Sequence, residues 1–533
     1  MNGVQLLLII LGGIAVSALA HRRGVQPGLV VVILAAAASF IPGVPRLELH
    51  SELVLAVVVP PLLYSATRAA SLSGFSQNLR PILTLGVTLV VLTTGVAGLV
   101  GSWLMPSIGL PAALLLGAVL APPDTITTVS HGDELGLPRR VTAILTGESL
   151  VNDATALTLF GLAAAAAGAG ETLFDNAFGL FAYTVVSGLA VGLGFAVIAL
   201  WLRPRLHNPV LETSLALLLP FTAFLAAEQI HASGILAVVA AAFSFSINAT
   251  LDPRHQYPGA YRTRLQEDAV WPVFDFLLET FVFAYIGLQL RFVVADLGHA
   301  AARPGLTITL ISAAVLLVAV IAFRLGAVWL FFAWWAARRR AVERRIAADP
   351  RFRARAERRA QARSRRRRLG QAAGEWRGPL GAPTGRESLI VGWTGMRGIL
   401  TLAAAAAVPH TLRNGEEFPG RDAIQAIALF VTLGTLLIQG TTIPMLVRRL
   451  NIDTAGERRR AAELLERGRA IAEAAVTHGG PPTTEDFDAQ RGAIVGAIIS
   501  GDLDDDTARV LVHDVDLRQA AETHLARQEH AKS

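Results

Sequence analysis

The sequence predicts an all-α polytopic membrane protein, and three observations carry that reading. Hydrophobic residues make up 53% of the 533 and charged residues 17%, where a soluble chain of this length carries about a quarter charged. Apolar segments of spanning length recur through most of the chain. Arginines gather in alternate loops between them. Cysteine is absent, which excludes disulfides, thiolate metal sites and thiol nucleophiles.

Taken in order, about thirteen segments are long and apolar enough to span: 3–20, 25–42, 51–68, 81–105, 109–130, 141–168, 177–202, 209–230, 232–250, 269–292, 305–336, 386–409 and 422–448. The first ends in Ser17-Ala18-Leu19-Ala20, which resembles a signal-peptidase site, yet its leading MNGVQ carries no positive charge. A retained helix is the expectation. Arg22/Arg23, Arg68/Arg80, Arg139/Arg140, Arg203/Arg205, Arg254/Arg262/Arg264 and the run from Arg338 to Arg377 fall on one side; Arg46, Arg291, Arg303, Arg413 and Arg421 fall on the other. By the positive-inside rule the richer set is cytoplasmic, so the N-terminus is expected outside and the C-terminus inside a cell (plasma or inner) membrane.

The basic balance is therefore a topology signal, and no nucleic-acid partner is expected. Lys532 is the only lysine, a bias that looks compositional. Residues 337–370 form a basic loop suited to lipid headgroups. The expected division is a transmembrane domain over 1–448, with the basic loop 337–385 inside it, and a cytoplasmic helical tail over 449–533. The tail shows helical spacing on either side of GGPPTTED and no clustered catalytic residue types.

The sixth segment holds the polar groups that the rest must accommodate. At about 100° per residue Glu148, Asn152, Ser149 and Asp153 lie at roughly 0°, 40°, 100° and 140°, on one helix face. That face cannot look at lipid. A carboxylate at bilayer depth costs about 2.5–3.5 kcal/mol on insertion scales, so Asp153 is expected to hold an ion or a proton.

Two other segments are interrupted. Ala121-Pro122-Pro123-Asp124-Thr125 breaks the fifth, because consecutive prolines remove backbone donors. Gly392-Trp393-Thr394-Gly395-Met396-Arg397-Gly398 breaks the twelfth. Broken backbone at that depth survives only when buried in protein or lining a watery cavity. The breaks sit seven segments apart and so cross in opposite senses, which predicts two inverted six-helix repeats, spans 1–6 and 8–13, with crossed discontinuous helices 5 and 12. Asp124 is expected to oppose the positive helix ends at the crossing, and Arg397 the negative ones.

At these residues the chain resembles the bacterial sodium/proton antiporters of the monovalent cation:proton antiporter-1 family, related to the sodium/hydrogen exchangers. The resemblance rests on VVPPLLYSA at 58–66, APPDTITTV at 121–129, LTGESLVNDATALTLF at 145–160, HASGILAVV at 231–239, FVFAYIGLQL at 281–290 and GWTGMRGILTLAAAAAVP at 392–409. It implies that Asp153 takes the cation or the proton, that Asn152 supports that carboxylate, and that Ser149 is a cation ligand. It further implies that Glu148 pairs with a buried arginine, Arg324 first and Arg397 second, and that the protein is a homodimer. Two departures thin the oxygen cage: Pro123, with its carbonyl, stands where relatives often have threonine, and Ser65 stands where some carry an acid. Thr125 and Glu279 are secondary candidates.

Together these readings predict a secondary active transporter, not an enzyme, that exchanges a monovalent cation, foremost Na⁺ (with Li⁺ or K⁺ as alternatives), for H⁺ by alternating access. One carboxylate holding one charge at a time implies an electroneutral 1:1 exchange, with no cofactor. An intramembrane aspartyl protease using Asp124 and Asp153 would give Asn152 no role and lacks Gly-x-Gly-Asp. A channel would want a carbonyl-ring filter motif. His131 and His231 fall at segment ends, and Asp275 and Glu279 are expected to line a cavity or a helix contact.

Overall fold

Residues 3–23, 27–42, 56–125, 135–169, 177–251, 257, 259–297, 304–349, 385–476 and 482–530 are described in the computed structural model. Their regular structure is helical, apart from two isolated backbone bridges. The chain runs through α1 Gly3–Arg22, α2 Pro27–Ala38, α3 Val59–Ala69, α4 Leu79–Leu104, α5 Gly109–Leu120 and α6 Arg139–Ala166. It continues through α7 Ala177–Leu206, α8 Pro209–Gln229, α9 Gly234–Leu251, α10 Ala260–Leu288 and α11 Leu306–Ala348. Next come α12a Gly385–Trp393, α12b Ile399–Ala406 and α13 Arg421–Leu450, then α14 Ala455–Ala474, α15 Thr484–Ser500 and α16 Asp505–His530. Among the described residues, eight helices are long and apolar enough to cross a membrane.

Helix ends follow local chemistry. Asn208 caps α8 by accepting from the Val210 amide, with Pro209 in the first turn. Gly109 turns α4 into α5 at φ +73°, a conformation that favours glycine. Some boundaries differ from the sequence expectation. α2 is 12 residues long, about 18 Å, and does not by itself reach across about 30 Å of hydrocarbon. α11 runs for 43 residues, carrying its apolar stretch straight into Arg338, Arg339 and Arg340. Most of the basic loop, like His131, lies outside the described residues.

Helices pack closely through small residues. A Cβ on Gly117 of α5 would run into the Thr94 carbonyl of α4, and one on Gly192 of α7 into the Ala237 carbonyl of α9. Trp103, Val197, Trp201, Leu218 and Val318 point outward with large exposed apolar surfaces, as lipid contact requires. One core gathers α3, α7, α8 and α9; another gathers α4, α5, α11 and α13. α6 lies against both, which sinks its polar face in protein.

Arg203, read from sequence as a topology marker, is buried; it pairs with Glu267 at 3.1 Å and Glu212 at 3.6 Å and ties α7 to α8 and α10. The three tail helices share their own apolar core around Phe487, Ile494, Leu511 and Val515. α16 also docks on the bundle: Arg264 of α10 forms a bidentate pair with Asp516, at 2.6 and 2.8 Å, and Arg509 donates to the Arg68 carbonyl at the end of α3.

Because backbone faces Gly117, Gly117→Leu is expected to cost about 1–3 kcal/mol or more through overpacking. A lowered thermal midpoint of the purified protein in detergent would register it.

Candidate ion-binding site at the helix breaks

Two interrupted segments meet at the centre of the bundle. α5 stops at Leu120 before Pro122-Pro123, and α12 is interrupted from Thr394 to Gly398. The Asp124 amide donates to the Met396 carbonyl at 2.6 Å, an antiparallel bridge that joins one break to the other. Neither backbone can satisfy itself there, so each completes the other.

Charges are matched to the exposed helix ends. The Asp124 carboxylate lies against Gly398, just before α12b, so closely that any Cβ on Gly398 would collide with it. A negative group there faces the positive end of the helix dipole. On the opposite side, Arg397 donates from Nε to the Leu120 carbonyl at 3.0 Å and from a terminal nitrogen to the Gly395 carbonyl at 2.6 Å. It thereby covers the Leu120 carbonyl that α5 leaves open at its C-terminal end and one carbonyl of the α12 break.

Arg324 of α11 secures the other half. It forms a bidentate pair with Glu148, at 2.6 and 3.0 Å, and donates to the Val391 carbonyl near the end of α12a at 3.1 Å. Both partners are buried. Arg324 is thus the arginine that holds Glu148, and Arg397 serves the backbone instead. Glu148 and Arg324 lock α6, α11 and α12 together and neutralise one another, which leaves Asp153 without a guanidinium of its own in this pair.

Beside the crossing is a cavity of about 40 Å³. Asp153, Ser149, Asp124 and Thr401 bring oxygen to its wall, and α3 closes it with Val59, Leu62 and Leu63. Asp153 is 8% exposed and Ser149 3%. A water needs about 10–15 Å³ of such volume, so the space suits one small ion with a water or two.

Other sequence candidates stand around this cavity in distinct roles. Asn152 donates its amide to the Pro123 carbonyl at 2.8 Å, holding the broken backbone to α6 rather than addressing the Asp153 carboxylate. The Pro123 carbonyl keeps its second lone pair. Thr125 turns its hydroxyl to the Leu145 carbonyl at 2.8 Å and pins the break to α6. Ser65 hydrogen-bonds Asp275 of α10 instead of lining the cavity. Glu279 lines a separate cavity, on the side of Met396. His231 is exposed in the turn between α8 and α9.

Thr401 was not singled out from sequence. Its side chain is 1% exposed, and among the described residues its hydroxyl has no hydrogen-bond partner. One signal was available: Thr401 is the sole polar residue between Gly398 and Pro409.

The family model described as sodium/hydrogen exchanger, transmembrane, matches residues 6–449. The chain belongs to the sodium/hydrogen exchanger family. Membership makes it a membrane transporter and not an enzyme. An uncharacterized Na⁺/H⁺ exchanger of Mycobacterium tuberculosis is 29% identical over 454 residues, 84% of this chain and 74% of the relative. A sodium, potassium, lithium and rubidium/H⁺ antiporter of Bacillus pumilus is 29% identical over 428 residues, covering 79% of this chain and 57% of that one. In fold, this exchanger resembles the sodium proton antiporter MjNhaP1 from Methanocaldococcus jannaschii, with TM-score 0.60 at 15% identity over 85% of this chain and 99% of the other.

Glu148→Ala is expected to destabilise the exchanger by about 3–5 kcal/mol, since it strands Arg324 as a buried charge. Removing both partners, in Glu148→Ala with Arg324→Ala, is expected to cost less than the sum of the two single changes. Thermal unfolding of all three variants in detergent tests the coupling.

Proposed function

We propose that this exchanger is a secondary active transporter that moves Na⁺ against H⁺ by competition of the two for Asp153. One observation carries the reading: Asp153 and Ser149 of α6 and Thr401 of α12b line one small cavity beside broken backbone. Carboxylate and hydroxyl oxygens are hard ligands suited to an alkali cation. Ser149, Thr401, Asp124 and the Pro123 carbonyl complete the proposed ion cage. Asn152, Thr125, Glu148, Arg324 and Arg397 hold its frame, and no organic cofactor takes part.

A carboxylate so enclosed holds a proton or a cation, and a cavity this small admits one at a time. Each cycle then returns one H⁺ for one Na⁺ and moves no net charge. Two inverted six-helix units within about thirteen spans, rocking about the crossing, would carry the site from one side to the other. The proposed setting is the plasma membrane, with the N-terminus outside, the tail over 449–533 cytoplasmic, and two copies forming a homodimer.

The antiporter of Bacillus pumilus, with its four named cations, supports testing Li⁺ and K⁺ beside Na⁺. Proteoliposomes with an imposed pH gradient provide the assay. Cation-driven dissipation is expected from the wild type, fastest with Na⁺ and unaffected by a clamped membrane potential, while Asp153→Asn, inserted normally, is expected to show none. Retained exchange in Asp153→Asn would refute the reading. Thr401→Val is expected to raise the half-saturating Na⁺ concentration about three- to tenfold, the effect of one lost oxygen ligand worth about 0.5–1.5 kcal/mol.

A further inference from the structure

A second cavity lies on the other side of the α12 break. It measures about 130 Å³, some three times the space beside Asp153, and lies between α1, α2, α10 and α13. Its polar wall is made of Glu279, Thr280 and Ser17. Ser17 is 5% exposed, and among the described residues its hydroxyl has no hydrogen-bond partner. Glu279 makes no ion pair among the described residues.

Met396 divides the two spaces. Its side chain lines the Glu279 cavity, while its carbonyl receives the amide of Asp124, whose carboxylate lines the other. Asp275, one helical turn before Glu279, is bonded to Ser65 through one oxygen; the other is buried without a partner among the described residues.

We propose that the cavity bounded by Glu279 and Ser17 is a second cation site, which receives a partly hydrated monovalent cation before it passes Met396 to Asp124 and Asp153. A carboxylate at membrane depth, unpaired with any guanidinium among the described residues, is tolerated where a cation or water reaches it, and 130 Å³ admits an ion with several waters. The neighbouring π-helical turn, Leu436–Gly440, supplies cavity wall at Leu436 and Gly440, as such turns do at functional sites. Ser17 sits five residues before Arg22 at the end of α1, and Gly440 eight before Arg448 in α13, so on these helices the cavity lies toward the arginine-bearing end of the bundle. On the orientation proposed above, on which this inference rests, that end is cytoplasmic. When ionised, a carboxylate there would concentrate cations ahead of the central site.

The test uses the full-length exchanger in everted vesicles, which present the cytoplasmic face to the medium. Glu279→Gln is expected to raise the half-saturating Na⁺ concentration about tenfold at unchanged maximal rate, Glu279→Asp to restore most of it, and Ser17→Ala to raise it about threefold. Binding is read independently of transport by isothermal titration of NaCl into Asp153→Asn, where residual Na⁺ binding is expected and Asp153→Asn with Glu279→Gln is expected to lose it. Unchanged half-saturation in Glu279→Gln and Ser17→Ala would overturn the proposal, as would a shifted pH profile with unchanged Na⁺ dependence, which would make Glu279 a proton carrier only. A wild type without exchange would instead count against the antiport reading itself, while the titration would still report on this cavity.

Discussion

Helix ends brought face to face inside a membrane are the constraint around which this molecule is arranged. Where α5 stops at Leu120 and α12 pauses between Trp393 and Ile399, open carbonyls and amides are turned toward the bilayer centre, with no lipid group able to bond them. Asp124 meets the amide end, while Arg397 and Arg324 meet the carbonyl ends. The backbone bridge from Asp124 to Met396 then holds the two breaks together. Any cation site beside them inherits its position from that bridge.

Two carboxylates on α6 have opposite fates because of what α11 brings to one of them. Glu148 receives a bidentate guanidinium and becomes a fastening, since neither partner of a buried pair can be lost without stranding the other. Asp153, five residues further along, borders a cavity instead. On the proposed reading, the difference separates an architectural charge from one that exchanges its partner. Glycine serves the same end: at Gly395 a Cβ would strike the Arg324 side chain, and at Gly398 the Asp124 carboxylate. The compensating charges can press on the backbone only because those positions lack side chains.

The three C-terminal helices extend this organisation beyond the bundle core. Asp516 accepts from Arg264 of α10 at 2.6 Å and from Arg491 of α15 at 2.8 Å. Arg68 at the end of α3 pairs with Asp268 of α10 at 2.8 Å, and its carbonyl receives Arg509 of α16. α3 walls the Asp153 cavity and α10 carries Glu279, so the docked tail holds the ends of two helices that border the two cavities.

Much of this was determined by the amino-acid order alone. Hydrocarbon permits only helices to cross it in such a chain, so apolar runs read directly as helices, and a polar face on one of them had to be turned inward. Consecutive prolines and clustered glycines marked both breaks, and spacing put Glu148, Ser149, Asn152 and Asp153 on one face. Only the tertiary structure decided which groups meet. Glu148 and Arg324 are 176 residues apart, Ser65 and Asp275 are 210 apart, and Arg397 reaches Leu120 across 277. Sequence periodicity describes neighbours within a helix and is silent on contacts between helices, which depend on how several close-packed surfaces fit at once. For the same reason Asn152 turned to backbone, and Thr401, unremarkable among alanines, came to face the proposed ion.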